Sequence, residues 1–161
     1  MVRVLKTRYI LLLHDTSSSN RVVNFTKIAC SYKDYVKLII FSRVTGGAAQ
    51  YGIPDSFKIG YKEGVNIIVL QDIEDAVELF KETPKIQFTR RYGVEFKSLK
   101  DDILNNISSN EVMLMFSGSD VGFSENEVLK DAVKIYPKGI ARELPPESYL
   151  SIFMHLVASG I

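Results

Sequence analysis

The chain has 161 residues, 46% of them hydrophobic, which is enough apolar material for a buried core and excludes an intrinsically disordered protein. Its 20 basic and 19 acidic side chains leave a formal net charge of +1, so no overall field draws nucleic acid or an anionic membrane, while a local basic patch stays compatible with these totals. A single cysteine, Cys30, excludes an intrachain disulfide and, with only two histidines, leaves no zinc-type ligand cluster; no metal is expected, and an intracellular, cytoplasmic protein is the natural reading.

In chain order, Arg3, Lys6 and Arg8 precede a first apolar run at 9–13, too short for a signal peptide and closed by His14 and Asp15. No segment reaches the roughly 20 apolar residues of a membrane helix, so no membrane partner is expected. Residues 9–13, 36–41, 65–70, 112–116 and 132–136 read as short, nearly continuous apolar strands, with 86–89 a weaker sixth. Helical spacing separates them: Val22, Phe25, Ile28 and Ala29; Ile73, Ala76, Val77 and Phe80; Leu99, Ile103, Leu104 and Ile107; and the last stretch, 149–157. Asp72 and Ser98 suit helix N-caps, and Pro145-Pro146 suits the first turn of the final helix. Apolar strands alternating with helices predict an α/β fold with a mostly parallel sheet flanked by helices. No repeat, low-complexity segment or linker interrupts the pattern, so one domain over 1–161 is expected.

Parallel α/β folds place ligands at the carboxyl ends of their strands. Four polar or glycine-bearing turns fall there: 14–20, 42–47, 117–122 and 137–140. The most informative stretch is MLMFSGSDVGFSENEV, residues 113–128, in which an apparent buried strand runs into Gly118, Ser119 and Gly122 before a capping-box pair, Ser124 and Glu127, opens a helix. Glycines and serines also make ordinary turns, and that alternative stands for each loop taken singly.

The order of these motifs resembles the SPOUT superfamily of RNA methyltransferases, especially its ribose 2′-O branch. The corresponding pieces are 16–20 (TSSSN), 115–124 (MFSGSDVGFS) and 134–140 (KIYPKGI) leading into 149–158, so the likeness spans nearly the whole chain. The resemblance implies a C-terminal trefoil knot, S-adenosylmethionine held by knot backbone, an RNA substrate and a homodimer. It implies cofactor contacts at Gly118, Ser119, Gly122, Ile135, Tyr136, Gly139 and Leu144, and chemistry near Asn20 and Arg21. In the 2′-O branch the first motif reads roughly Asn-x-Gly-x-x-x-Arg. Here Asn20 is kept, Val22 replaces the glycine and Thr26 stands at the arginine position, with Arg21 earlier and Lys27 beside it. The family's Ser-Leu-Asn start of the last helix is replaced by 144–148 (LPPES).

Arg21, Arg43, Arg90 and Arg91 are candidate phosphate contacts or solvated surface residues. Asn20 either orients a target or caps the helix starting near Arg21, and His14 is either a base or a hydrogen-bonded structural histidine. His155 reads as core or dimer interface. A rival reading comes from Glu95-Phe-Lys97, which weakly resembles the Glu-x-Lys core of RecB-type PD-(D/E)xK nucleases, with Asp55 after Pro54, or Asp72, as the upstream acid for Mg²⁺. A third keeps the SPOUT-like fold as a non-catalytic dimeric binding protein.

Overall fold

A computed structural model of the chain describes residues 6–161; Arg3 lies outside them. The elements in order are β1 (Arg8–Thr16), α1 (Ser19–Ser31), β2 (Val36–Val44), α2 (Ile53–Glu63), β3 (Ile67–Leu70), α3 (Ile73–Leu79), β4 (Lys85–Phe88), β5 (Val94–Phe96), α4 (Leu99–Asp102), β6 (Glu111–Ser117), β7 (Val133–Pro137) and α5 (Pro146–Ser159). The strands form one seven-stranded sheet in the order β3-β2-β1-β6-β4-β7-β5, every neighbouring pair parallel. The α/β architecture expected from the alternation of apolar runs is therefore the one observed.

Because successive strand residues point to opposite faces, β1 feeds two cores. Leu11 and Leu13 pack with Phe25 of α1, Phe41, Phe116 and the α5 residues Tyr149, Leu150 and Phe153. Ile10 and Leu12 pack on the other face with Ile73 and Ala76 of α3 and with Phe123. Phe88 stacks on Phe116 at 4.7 Å between ring centroids and meets Phe153 edge-on at 5.3 Å, which fixes α5 over β4 and β6.

Three local departures from the periodicity have physical causes. Helix α2 has no fully buried apolar side chain, because its approach and most buried positions are Gly52, Ser56 and Gly60, with Ile53 and Ile59 only half-buried against the core and Ser56 Oγ 2.9 Å from Thr26 Oγ1 of α1. Close packing replaces hydropathy there. The helix expected after Ser124 is a single 3₁₀ turn, Glu125–Glu127, although its capping box is intact. It stops because buried Gln87 takes the main chain: its Nε2 donates to the Glu127 carbonyl at 2.9 Å and its Oε1 accepts from the Leu129 amide at 2.8 Å. The helix expected across Leu99 to Ile107 is likewise reduced to the four-residue α4 and a 3₁₀ turn, Leu104–Asn106.

Strands β4 and β5 lie on opposite sides of β7, with Phe88 and Val94 both in register with Ile135. The five residues joining them therefore cross one face of β7. Gly93 lies so near that a Cβ there would meet the Ile135 amide nitrogen at 2.9 Å. Among the described residues no helix is long and apolar enough to cross a membrane.

Candidate functional site

Strand β1 sends the chain to β2 on one side and pairs with β6 on the other, so the two loops at their carboxyl ends diverge and leave a crevice, the usual ligand position in such sheets. The crevice holds about 520 Å³ and is walled by Thr16, Ser17, Ser18 and Thr45 on one side and Gly118 and Ser119 on the other. Ser18 is the N-cap of α1, its side chain accepting from the Arg21 amide. It takes the capping role that the sequence left open for Asn20, which sits exposed in the first turn.

Arg21 bridges the walls. Its Nη1 donates to the Gly118 carbonyl at 2.7 Å and to Asp120 Oδ1 at 3.2 Å, and its Nε donates to Glu147 Oε1 at 3.1 Å. The structure thus gathers Arg21, Gly118 and Ser119 in one cleft. Two carboxylates already offset the guanidinium, so an entering phosphate would displace the exposed Asp120, whose ion pair is worth at most about 1 kcal/mol.

Gly118 proves tight for a different reason from ligand approach. A Cβ there would meet the Asp15 carbonyl oxygen at 2.4 Å and Thr16 Cβ at 2.7 Å, so the close neighbour is the chain's own β1 terminus. Gly122 has φ +79, and its open side faces the Glu143 side chain, with Cδ 3.0 Å from a Cβ position. Glu143 Oε1 accepts from the Arg90 amide at 3.0 Å and the Tyr149 hydroxyl at 2.6 Å, and Oε2 lies 3.4 Å from the Arg91 amide. Burial and the Glu143 carboxylate push the Tyr149 phenol well above its ordinary range.

The other candidate cofactor residues lie beside this point. Ile135 is fully buried and its carbonyl accepts from the Thr89 amide at 3.1 Å; Tyr136 is half-buried, with the Arg90 guanidinium 5.8 Å from its ring centre; Gly139 is exposed at φ +99; and Leu144 is half-buried. Main-chain amides and a phenol aimed at one spot fit the acceptor groups of S-adenosylmethionine. The Glu143 carboxylate occupies that spot.

On the opposite face lies a polar network whose joint existence the sequence did not reveal. His14, fully buried, has Nδ1 2.8 Å from Ser42 Oγ and Nε2 2.6 Å from Glu127 Oε2. A carboxylate only accepts, so the proton sits on Nε2. Arg43 forks onto both Asp72 oxygens at 2.9 Å and reaches Glu127 Oε2 at 3.5 Å. Burial alone would raise the Glu127 carboxyl, but the Ser124 amide and hydroxyl together with His14 outweigh it and hold it below the usual carboxylate range. Asp15 and Arg43, opposite each other at the ends of β1 and β2, both have positive φ, 65° and 47°. That kink accompanies the placing of Arg43 among acids at the strand ends, at a local cost of about 1–3 kcal/mol per residue. His14 is thus a hydrogen-bonded histidine sealed from solvent. His155 is exposed on α5, which corrects the core alternative for it.

The acids of the nuclease reading do not meet. Glu95 lies exposed on edge strand β5, while Asp72 follows the opposite edge, β3; six strand spacings, about 29 Å, separate those edges. Asp55 is on α2, whose Gly60 packs against Ile67 of β3, so it belongs to the same far half. Among the described residues no group of three or more His, Cys, Asp or Glu side chains is arranged to hold a metal ion.

The fold is that of SPOUT-type methyltransferase structures. It is shared with a structure from work on the 2-OH methylation of C/U34 on tRNA, at 14% identity over 96% of this chain and 99% of that one, with a TM-score of 0.70. It is also shared with the AdoMet-bound rRNA methyltransferase from Sinorhizobium meliloti, at 13% identity and a TM-score of 0.69, covering 97% of this chain and 57% of that one. By sequence, the chain belongs to the family described as RecB-family nuclease (DUF2122), whose model it matches over residues 46–156. It is also similar to a Methanocaldococcus jannaschii protein provisionally named type II restriction enzyme MjaORF1200P, with 28% identity over 94% of this chain and 97% of that protein.

Proposed function

We propose that this chain is an RNA methyltransferase-like protein of the SPOUT type, in which the β1/β6 crevice takes the RNA backbone and the loops after β6 and β7 take S-adenosylmethionine. The observation that carries this reading is Arg21, which spans from the crevice to the carbonyl of Gly118 in the loop after β6. Gly118, Ser119, Gly122, Ile135, Tyr136, Gly139 and Leu144 are the residues assigned to the cofactor, which when bound supplies the activated methyl group. Arg21 would fix a phosphate or ribose oxygen, and Asn20, exposed on the rim one residue earlier, would orient the target. The crossing of β7 by residues 89–93 is compatible with a threaded C-terminus, and the exposed side of α5 carrying His155 is the proposed homodimer face. Ile135 joins the site through its main chain, since its side chain belongs to the core.

The test is methyl transfer from labelled S-adenosylmethionine to total RNA, run with calorimetric titration of S-adenosylhomocysteine at two temperatures. Incorporation lost in Arg21→Ala, with binding at one site per chain near −8 kcal/mol or weaker, about micromolar or above, supports the reading. No transfer and no binding by either wild type or the Glu143 variant described below overturns it and leaves a non-catalytic binding protein.

Family membership and the name of the Methanocaldococcus jannaschii relative favour a second reading, an Mg²⁺-dependent nuclease. Its test is DNA cleavage that requires Mg²⁺ and is lost in Lys97→Ala. The separation of Asp72 from Glu95 weighs against that pair as its metal site.

A further inference from the structure

Resting on the cofactor reading above, we propose that the amides of Arg90 and Arg91 and the hydroxyl of Tyr149 form a carboxylate-binding site, which Glu143 fills from within the chain and which a carboxylate-bearing ligand enters by displacing it. The donors and the acceptor belong to different kinds of structure. Arg90 and Arg91 lie in the short crossing between β4 and β5, pinned against β7, and Tyr149 is buried on α5 against Phe88. Glu143 belongs to the stretch between β7 and α5, which has no helix or strand of its own and contains Gly139 in a left-handed conformation with open space around it. Withdrawal of Glu143 therefore leaves the donors in place.

The way Glu143 is held points the same way. All four of its short contacts are to neutral donors: the Arg90 amide to each oxygen, at 3.0 and 3.1 Å, the Arg91 amide at 3.4 Å and the Tyr149 hydroxyl at 2.6 Å. Among the described residues no lysine, arginine or histidine nitrogen lies within ion-pair distance of it. Successive main-chain amides converging on a carboxylate form the nest geometry that binds free anions, and here a glycine, Gly122, leaves the room for the occupant. A structural ion pair would have placed a basic side chain there instead. Glu143 at this site and Glu147, four residues on in the first turn of α5 and paired with Arg21, place the β6/β7 site and the crevice next to one short stretch of chain.

An internal occupant lowers the apparent affinity of a ligand by the fraction of time the site is free. A site filled about 90% of the time binds about tenfold more weakly than the same site emptied. The experiment compares wild type, Glu143→Ala and Glu143→Ala/Tyr149→Phe by thermal unfolding in sodium acetate and in sodium chloride at equal ionic strength, and titrates each with S-adenosylhomocysteine. The expected result is a melting temperature that rises with acetate over chloride in Glu143→Ala alone, since acetate replaces the lost carboxylate, together with about tenfold or greater tightening for S-adenosylhomocysteine. Glu143→Gln, which keeps the bulk and one acceptor oxygen but loses the charge, serves where the alanine variant fails to fold and is expected to show a smaller tightening in the same direction. Acetate stabilisation without nucleoside binding by any variant leaves the carboxylate site standing and removes the cofactor reading. Identical responses to the two salts in Glu143→Ala, or an equal acetate effect in wild type, overturn the proposal, as does S-adenosylhomocysteine binding that is unchanged or weaker in both Glu143 variants.

Discussion

Replacing Gly118 by alanine tests whether the two walls of the crevice are packed as one unit. The added Cβ would lie 2.4 Å from the Asp15 carbonyl oxygen and 2.7 Å from Thr16 Cβ, about 1 Å inside ordinary contact. Relief by side-chain rotation is closed off, because the nearest atom is backbone. Moving the backbone is also resisted: Asp15 already sits at φ 65°, and the Gly118 amide donates to the His14 carbonyl at 2.6 Å. Overpacking of this kind costs about 1–3 kcal/mol, and weakening that hydrogen bond adds about 1 kcal/mol, for roughly 3 kcal/mol in all. In a chain of this length that is a fall in Tm of about 6–12 °C. Urea unfolding followed by circular dichroism should show a lower midpoint at unchanged slope. Gly139→Ala is the control: its Cβ meets nothing within 4 Å, so only the positive φ is charged, about 1–2 kcal/mol. A Gly118→Ala protein as stable as wild type, or no worse than Gly139→Ala, would refute the close contact between the β1 and β6 termini.

Glu127, held below its unfolded value, contributes stability that is complete above the ordinary carboxylate pKa of about 4.3 and is lost as pH falls through its lower folded value. Stability measured from pH 6 down to pH 3 should therefore fall more steeply in wild type than in Glu127→Gln; parallel profiles would contradict the assigned network. Arg21→Ala removes contacts to Gly118, Asp120 and Glu147 and is expected to weaken RNA retention on filters at low salt while shifting Tm by only a few degrees. Unchanged RNA retention would take the crevice out of the binding surface. Glu95→Ala, at an exposed edge, should change stability by no more than about 0.5 kcal/mol in urea melts and leave any Mg²⁺-dependent cleavage intact; loss of cleavage would restore the nuclease assignment of that strand.

The alternation of apolar runs and helical spacings determined the layered α/β fold, because strands buried on both faces need continuous apolar residues whatever their neighbours. Six of the strands and the caps at Asp72 and Ser98 were legible for that reason. Strand β5, three residues long with Val94 and Glu95 exposed, carries too little apolar signal, and α2 hides because its buried positions are glycine and serine. The sequence also marked Arg21, Gly118 and Ser119 as site residues, but not that they share one crevice. Long-range partners were beyond it: Gln87 ending the turn after Ser124, His14 meeting Glu127 across 113 residues, and Glu143 seated on the amides of a crossing fifty residues earlier. Glu-x-Lys looked like chemistry in one dimension, whereas strand order sets its glutamate and Asp72 on opposite edges of the sheet. Local propensity is written in adjacent residues; which carboxylate meets which donor depends on strand order and on how the chain crosses β7, and only the assembled structure decides that.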